Sequence, residues 1–174
     1  VAIQGLPGMG KSALAYEYAH VNGSFYPGGR YFVQAYGLKN LRDGIAGLAP
    51  WLGMDLTHVR DPEIEHRMVV EKLNGGERSL ILFDNVDDLT LFGKAERDKY
   101  LPFSNHVDVY LTTRTAAKDI ERAGIEVLQI DKLDSDWSLR LLSRFKNFND
   151  EEEMQAAGEI CRLVDGYPIA LEII

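Results

Sequence analysis

The chain has 174 residues, 45% of them hydrophobic and 26% charged, with a net charge of -8 at pH 7. That length supports one domain, or one domain and part of another, and the composition is that of an ordinary globular protein. Acid gathers at Asp84 to Asp88, Asp131 to Asp136 and Asp150 to Glu153, a balance that argues against a phosphate-backbone binder and so against a nucleic-acid partner. The single cysteine, Cys161, excludes an intrachain disulfide framework and a cysteine-rich metal site and points to an intracellular, cytoplasmic protein. No apolar run reaches the roughly 18 residues of a membrane helix.

Short apolar runs alternate with longer stretches of helical period, the sequence form of a βαβ arrangement around a parallel sheet. Strands are expected at Val1 to Gln4, Tyr31 to Ala35, Ser79 to Phe83, Val107 to Leu111 and Val127 to Ile130. The third, "SLILF", is apolar nearly throughout, as a central strand covered on both faces must be. A helix follows the first strand, with Leu14, Tyr18 and Val21 on one face. Leu38, Leu41, Ile45, Leu48 and Leu52 recur at three- and four-residue steps and predict one amphipathic helix despite Gly44 and Gly47. Another is expected from Pro62 to Leu73, stopped by "NGG".

After Ile130 the strands cease. Two helical stretches follow, one carrying Trp137, Leu141 and Phe145 and the other Met154, Ala157, Cys161 and Val164, with Trp137 and its leucines expected in the core. The expected organisation is therefore an α/β domain over residues 1–130 and the start of a small helical subdomain over 131–174. Gly166 ends one helix and Pro168 opens the next.

Between the first strand and its helix, "GLPGMGKSA" fits the phosphate-binding pattern GxxxxGK[ST] through Gly5, Gly10, Lys11 and Ser12. Four fixed positions arise by chance in roughly one in a hundred chains of this length, and an ordinary glycine turn is the alternative. The strand before the loop and the helix after it favour nucleotide binding. Glycines at 5, 8 and 10 let backbone N–H groups turn inward on phosphate oxygens. Lys11 adds charge for the β and γ phosphates, and Ser12 offers a hydroxyl to Mg²⁺. Such a site also needs a carboxylate from a neighbouring strand, which Asp84 in "LILFDNVDD" supplies, unless it caps the next helix. "VDVYLTTRT" places Thr112, Thr113 and Arg114 at the end of the fourth strand, where a guanidinium can tell triphosphate from diphosphate or simply face solvent.

"GLPGMGKSALA", "YPGGRYFVQA", "LILFDNVDD", "YLTTRT" and "GYPIALEII" stand in the order found in NB-ARC domains, and the chain resembles this family of STAND-class signalling NTPases over nearly its whole length. The resemblance implies a P-loop NTPase fold and a nucleotide-operated switch with slow, Mg²⁺-dependent ATP hydrolysis. ADP would lock a compact inactive state, and ATP would permit opening and homo-oligomer assembly under flanking sensor and effector domains. Carried over by position, Gly5, Pro7, Gly8, Met9, Gly10, Lys11, Ser12 and Ala13 would hold ADP or ATP, Ser12 and Asp84 would serve the metal, and Pro168 would pack near the adenine. By the same resemblance Lys11, Asp84, Asn85 and Arg114 would form the catalytic set, with Arg114 as the sensor.

One position departs from the family. Many members carry a second acid after the metal-linked aspartate, where this chain has Asn85, and an amide can bind a water but cannot take its proton. Asp87 or Asp88 is the alternative acid; each can equally be a solvated start to the next helix. Two rival functions remain: a turnover ATPase of the AAA+ type, and an interaction domain holding ADP that it never exchanges. His20, His58, His66 and His106 lack companions at ligand spacing and are expected at the surface or partly buried, without a metal. The aromatics from Tyr16 to Phe32 have few basic neighbours, so packing outweighs nucleic-acid stacking.

Overall fold

The computed structural model describes residues 1–102 and 104–173. Ile174, the last residue of the "GYPIALEII" stretch, lies outside the described residues. The chain divides into two compact units, residues 1–4 with 12–129, and residues 5–11 with 130–174.

The first unit is built on a parallel sheet of five strands in the order β2-β3-β4-β1-β5. The strands are β1 (Ala2–Gln4), β2 (Gly29–Gln34), β3 (Ser79–Val86), β4 (Val107–Thr113) and β5 (Val127–Gln129). Each of the four pairings is parallel, with Ala2 opposite both Leu111 and Val127, and Gln34 opposite Asp84. This is the α/β arrangement expected from the alternation of strands and helices.

The apolar run of β3 has the two-sided burial that its composition predicts. Ile81 and Phe83 join one core with Leu41, Ile45, Val69 and Leu73, while Leu80 joins a separate cluster with Ala19 and Tyr26. Alternate side chains of a strand point to opposite faces, so a strand apolar at every position needs cover on both. The strand runs past the expected Phe83 to Val86, which puts Asp84 inside it. Asp84 therefore does not cap a helix.

The helices of this unit are α1 (Lys11–Val21), α2 (Leu41–Ala46), α3 (Pro62–Asn74), α4 (Lys94–Tyr100) and α5 (Ala117–Arg122). Three expectations change here. First, α1 buries Ala15 and Ala19, whereas Leu14 and Val21 are exposed and Tyr18 is half-buried. The buried residues are four apart and small, so this helix buries its short side chains. Second, the run from Leu38 to Leu52 is not one helix. Gly47 caps α2, and a 3₁₀ turn over Ala49–Leu52 follows, with Pro50 at its start, where its missing N–H costs nothing. Leu41, Ile45 and Leu48 are nevertheless buried as their spacing requires. Third, His66 is buried, with Nε2 2.8 Å from the Tyr100 carbonyl oxygen.

The second unit contains α6 (Ser135–Leu142), α7 (Glu151–Leu163) and α8 (Pro168–Ile173). Asp134 and Asp150 cap α6 and α7, accepting from the amides of Trp137 and Glu153, which satisfies otherwise unpaired first-turn donors. Leu142, Cys161 and Leu171, one from each helix, form the core. Trp137 is exposed, against expectation, and Phe145 and Met154 are exposed as well. The buried stripe of α6 is Ser138 and Leu142, one position on from the aromatic. Gly166 has φ +67° and its Cα lies against the Leu133 backbone oxygen, leaving no room for a Cβ; Leu133 N in turn donates to Gly166 O at 3.0 Å. Among the described residues no helix is long and apolar enough to cross a membrane.

Candidate nucleotide site

In the second unit, residues 5–11 form a glycine loop closed by its own lysine. Lys11 Nζ donates to the carbonyl oxygens of Gly5 and Leu6 at 2.9 and 2.8 Å. Gly8 and Gly10 have φ of +76° and +81°, the left-handed region where a side chain is strained. At Gly10 a Cβ would meet no atom within 4 Å; at Gly8 it would lie 2.5 Å from Cγ2 of Ile169. Ile169 N donates to Gly8 O at 3.2 Å. The helix that opens at Pro168 thus meets the glycine loop directly. Met9 is buried, Pro168 is half-buried and Pro7 is exposed.

In the first unit, Asp84 is the centre of a hydrogen-bonded group. Ser12 Oγ donates to its Oδ1 at 2.7 Å, Thr112 Oγ1 donates to the same oxygen at 2.6 Å, and Tyr16 OH donates to Oδ2 at 3.0 Å. Ala13, beside Ser12 on α1, is exposed. Burial first, and then the bond to Asp84, pushes the Tyr16 hydroxyl above its ordinary pKa.

A break in the β3–β4 ladder sets the far side of this group. Register shifts between Phe83 and Val86, and Asn85 turns into the left-handed region at φ +61°; asparagine is among the few non-glycine residues that visit it readily. Its N–H therefore leaves the ladder and donates to Thr112 Oγ1 at 2.8 Å. Thr112 accepts from this amide and must give its only proton to the carboxylate. Arg114 Nη2 donates to Asn85 Oδ1 at 3.2 Å and lies 3.6 Å from Asp87 Oδ1. Asp88 accepts from the N–H and hydroxyl of Thr90, so it serves as a cap.

Ser12, Asp84, Asn85 and Arg114 thus share one network. The sequence pattern pointed to Thr112 only as part of "TTR" and gave Tyr16 no role. Thr112, 28 residues from Asp84, carries no short-range signal, whereas Tyr16 lies four residues after Ser12 on α1 and shares its helix face. A serine hydroxyl beside a carboxylate is a hard oxygen donor set that fits Mg²⁺, an ion held by few protein ligands together with water and phosphate. Among the described residues no group of three or more His, Cys, Asp or Glu side chains is placed to hold a metal alone.

No family model matches the sequence, and no curated protein matches it. Solved structures do match. A Signal Transduction ATPase with Numerous Domains (STAND) protein of Pyrococcus horikoshii, which has a tetratricopeptide repeat sensor, superposes with a TM-score of 0.62 at 18% identity, over 99% of this chain and 26% of that one. The ORC1 protein of Aeropyrum pernix, solved in complex with DNA, gives 0.55 at 13% identity over 98% of this chain and 51% of that one. PCH-2 of C. elegans gives 0.55 at 14% identity over 99% and 52%. The chain spans between about a quarter and a half of these structures. At such identities the likeness is one of fold, the five-stranded parallel α/β sheet with its flanking helices.

Proposed function

We propose that this chain is the nucleotide-binding module of a regulatory ATPase of the NB-ARC type, a switch that binds ADP or ATP with Mg²⁺ and hydrolyses ATP slowly. The observation that carries this reading is the 2.7 Å hydrogen bond from Ser12, next to the motif lysine, to Asp84, 72 residues away. An isolated glycine turn has no reason to be followed by a serine bonded to a buried strand's carboxylate.

In this reading the N–H groups of the glycine loop receive the phosphates, and Lys11 exchanges its two carbonyl partners for phosphate oxygens. Ser12 and Asp84 hold Mg²⁺, which when bound supplies positive charge to the β and γ phosphates. Arg114 is held by Asn85 and Asp87 until a γ phosphate offers a stronger acceptor. Asn85 can orient a water but not deprotonate it, which keeps hydrolysis slow. A switch tolerates that rate and a motor does not. Pro168, at the start of the helix that meets Gly8, packs near the base. Signalling, a cytoplasmic setting, flanking sensor and effector domains, and homo-oligomer assembly with ATP belong to the same proposal; neither membrane nor nucleic acid is a partner in it.

Nucleotide carried through native purification is identified by mass, and its exchange is then followed. We expect ADP that exchanges for ATP, with turnover below about 1 per second, the low end of ordinary enzymes. Lys11→Ala weakens binding roughly ten- to a hundredfold, the loss of charged hydrogen bonds, and Asn85→Asp raises the single-turnover rate. Turnover well above that limit replaces the switch with a working ATPase. Bound ADP that never exchanges leaves an interaction domain.

A further inference from the structure

Asp84 is approached by more donors than the motif requires. An ionised carboxylate has about four lone-pair positions. Ser12 and Thr112 both donate to Oδ1, and Tyr16 donates to Oδ2, so among the described residues one position on Oδ2 stays open. The first two donors fix one oxygen. Tyr16 alone decides how the other is presented.

The Tyr16 ring is itself restrained. It meets Phe32 edge to face at 5.0 Å between centroids and 71° between planes, an arrangement aromatic pairs favour. Phe32 belongs to β2 and Asp84 to β3, neighbouring strands in register from Gly29 to Gln34. The hydroxyl is therefore aimed by a ring contact on one strand at a carboxylate on the next. An ordinary phenol keeps its proton near neutrality, so the hydroxyl is the donor and the carboxylate the acceptor.

We infer that Tyr16 is a positioning residue for the metal: its hydroxyl occupies one lobe of Asp84 Oδ2 and leaves the other directed at Mg²⁺ or a water bound to it. This role rests on the nucleotide reading above. Without the hydroxyl, Oδ2 has two open lobes, and the carboxylate loses the donor that opposes its rotation about the Cβ–Cγ bond. Metal binding must then fix that rotation itself.

Tyr16→Phe keeps the ring and its contact with Phe32 and removes only the donor. In the whole chain, Mg²⁺ is titrated at fixed ATP, and ATP binding is measured separately in EDTA. The variant should need roughly three- to tenfold more Mg²⁺, the loss of one hydrogen bond, with Mg²⁺-free ATP affinity unchanged. An unchanged Mg²⁺ requirement overturns the role, and so does an equal loss with and without Mg²⁺, which marks a purely structural residue. Failure of the unmodified chain to bind ATP in either condition is a different result: it removes the nucleotide reading and this role with it.

Discussion

Leu80 to Phe83 of β3 are each at most 1% exposed, enclosed by side chains on both faces of the sheet, whereas the core of the helical unit rests on Leu142, Cys161 and Leu171, one residue from each of three helices. The sheet unit also gains an aromatic pair at its centre, Phe83 against Phe92 at 5.0 Å. Trp137, Phe145, Leu163 and Ile173 of the helical unit all face outward. Burial of each large apolar side chain is worth about 1.5–3 kcal/mol, so the two units differ in stability by the number of such side chains each encloses. A network of fixed acceptors such as that around Asp84 gains from the first kind of support. The contact of α8 with the glycine loop, Ile169 N to Gly8 O at 3.2 Å, belongs to the second.

The sharpest break of this contrast is Phe83→Ala. Removing a ring from the middle of the sheet core should cost about 3–5 kcal/mol, and calorimetry should show the sheet unit melting at much lower temperature. A small shift would mean that the core collapses around the gap and the contrast is overstated. Gly8→Val tests the weaker unit. It forces a β-branched residue to φ +76° and a Cβ into Ile169, so about 1–3 kcal/mol of strain should appear as faster amide exchange in α8, with β3 protection unchanged. Equal loss in both units would show that they do not respond separately. The smallest effect is Asp150→Ala. Asp150 Oδ1 accepts from Glu153 N at 2.8 Å, and Glu153 Oε2 accepts from Asn149 N at 2.9 Å, a reciprocal cap. Its loss should cost about 1 kcal/mol, seen as fraying of α7 by amide exchange and nowhere in the sheet.

Much of the fold was legible because its signals are local. A strand apolar at every position must be covered twice, and "SLILF" declared that without any knowledge of what covers it. The acids from Asp150 to Glu153 are a local signal too, since negative charge favours a helix N-terminus, and α7 starts there. Helix faces were less legible. Leu14, Val21 and Trp137 looked like core by residue type, yet α1 and α6 bury the neighbouring Ala15, Ala19, Ser138 and Leu142. Hydrophobicity favours burying the larger side chain, but close approach of a helix favours the smaller one, and only the packing partner decides between them. The run from Leu38 to Leu52 shows the converse: its spacing gave the buried side chains correctly, while Gly47 and Pro50 divided the backbone that carries them.

The candidate site divides in the same way. Chain order and residue chemistry by themselves determined an alternating α/β chain, a glycine loop with Lys11 and Ser12 at fixed offsets, and an acid directly after the most apolar run. Those depend on spacings of a few residues, which backbone geometry converts directly into shape. That Ser12, Tyr16 and Thr112 all donate to Asp84, and that Arg114 reaches Asn85, was decided by tertiary structure alone. These partners come from α1, β3 and the end of β4, and they meet because of the strand order, the β3–β4 register and one left-handed residue that breaks it. Register is a property of paired backbones, and no single stretch of sequence contains both.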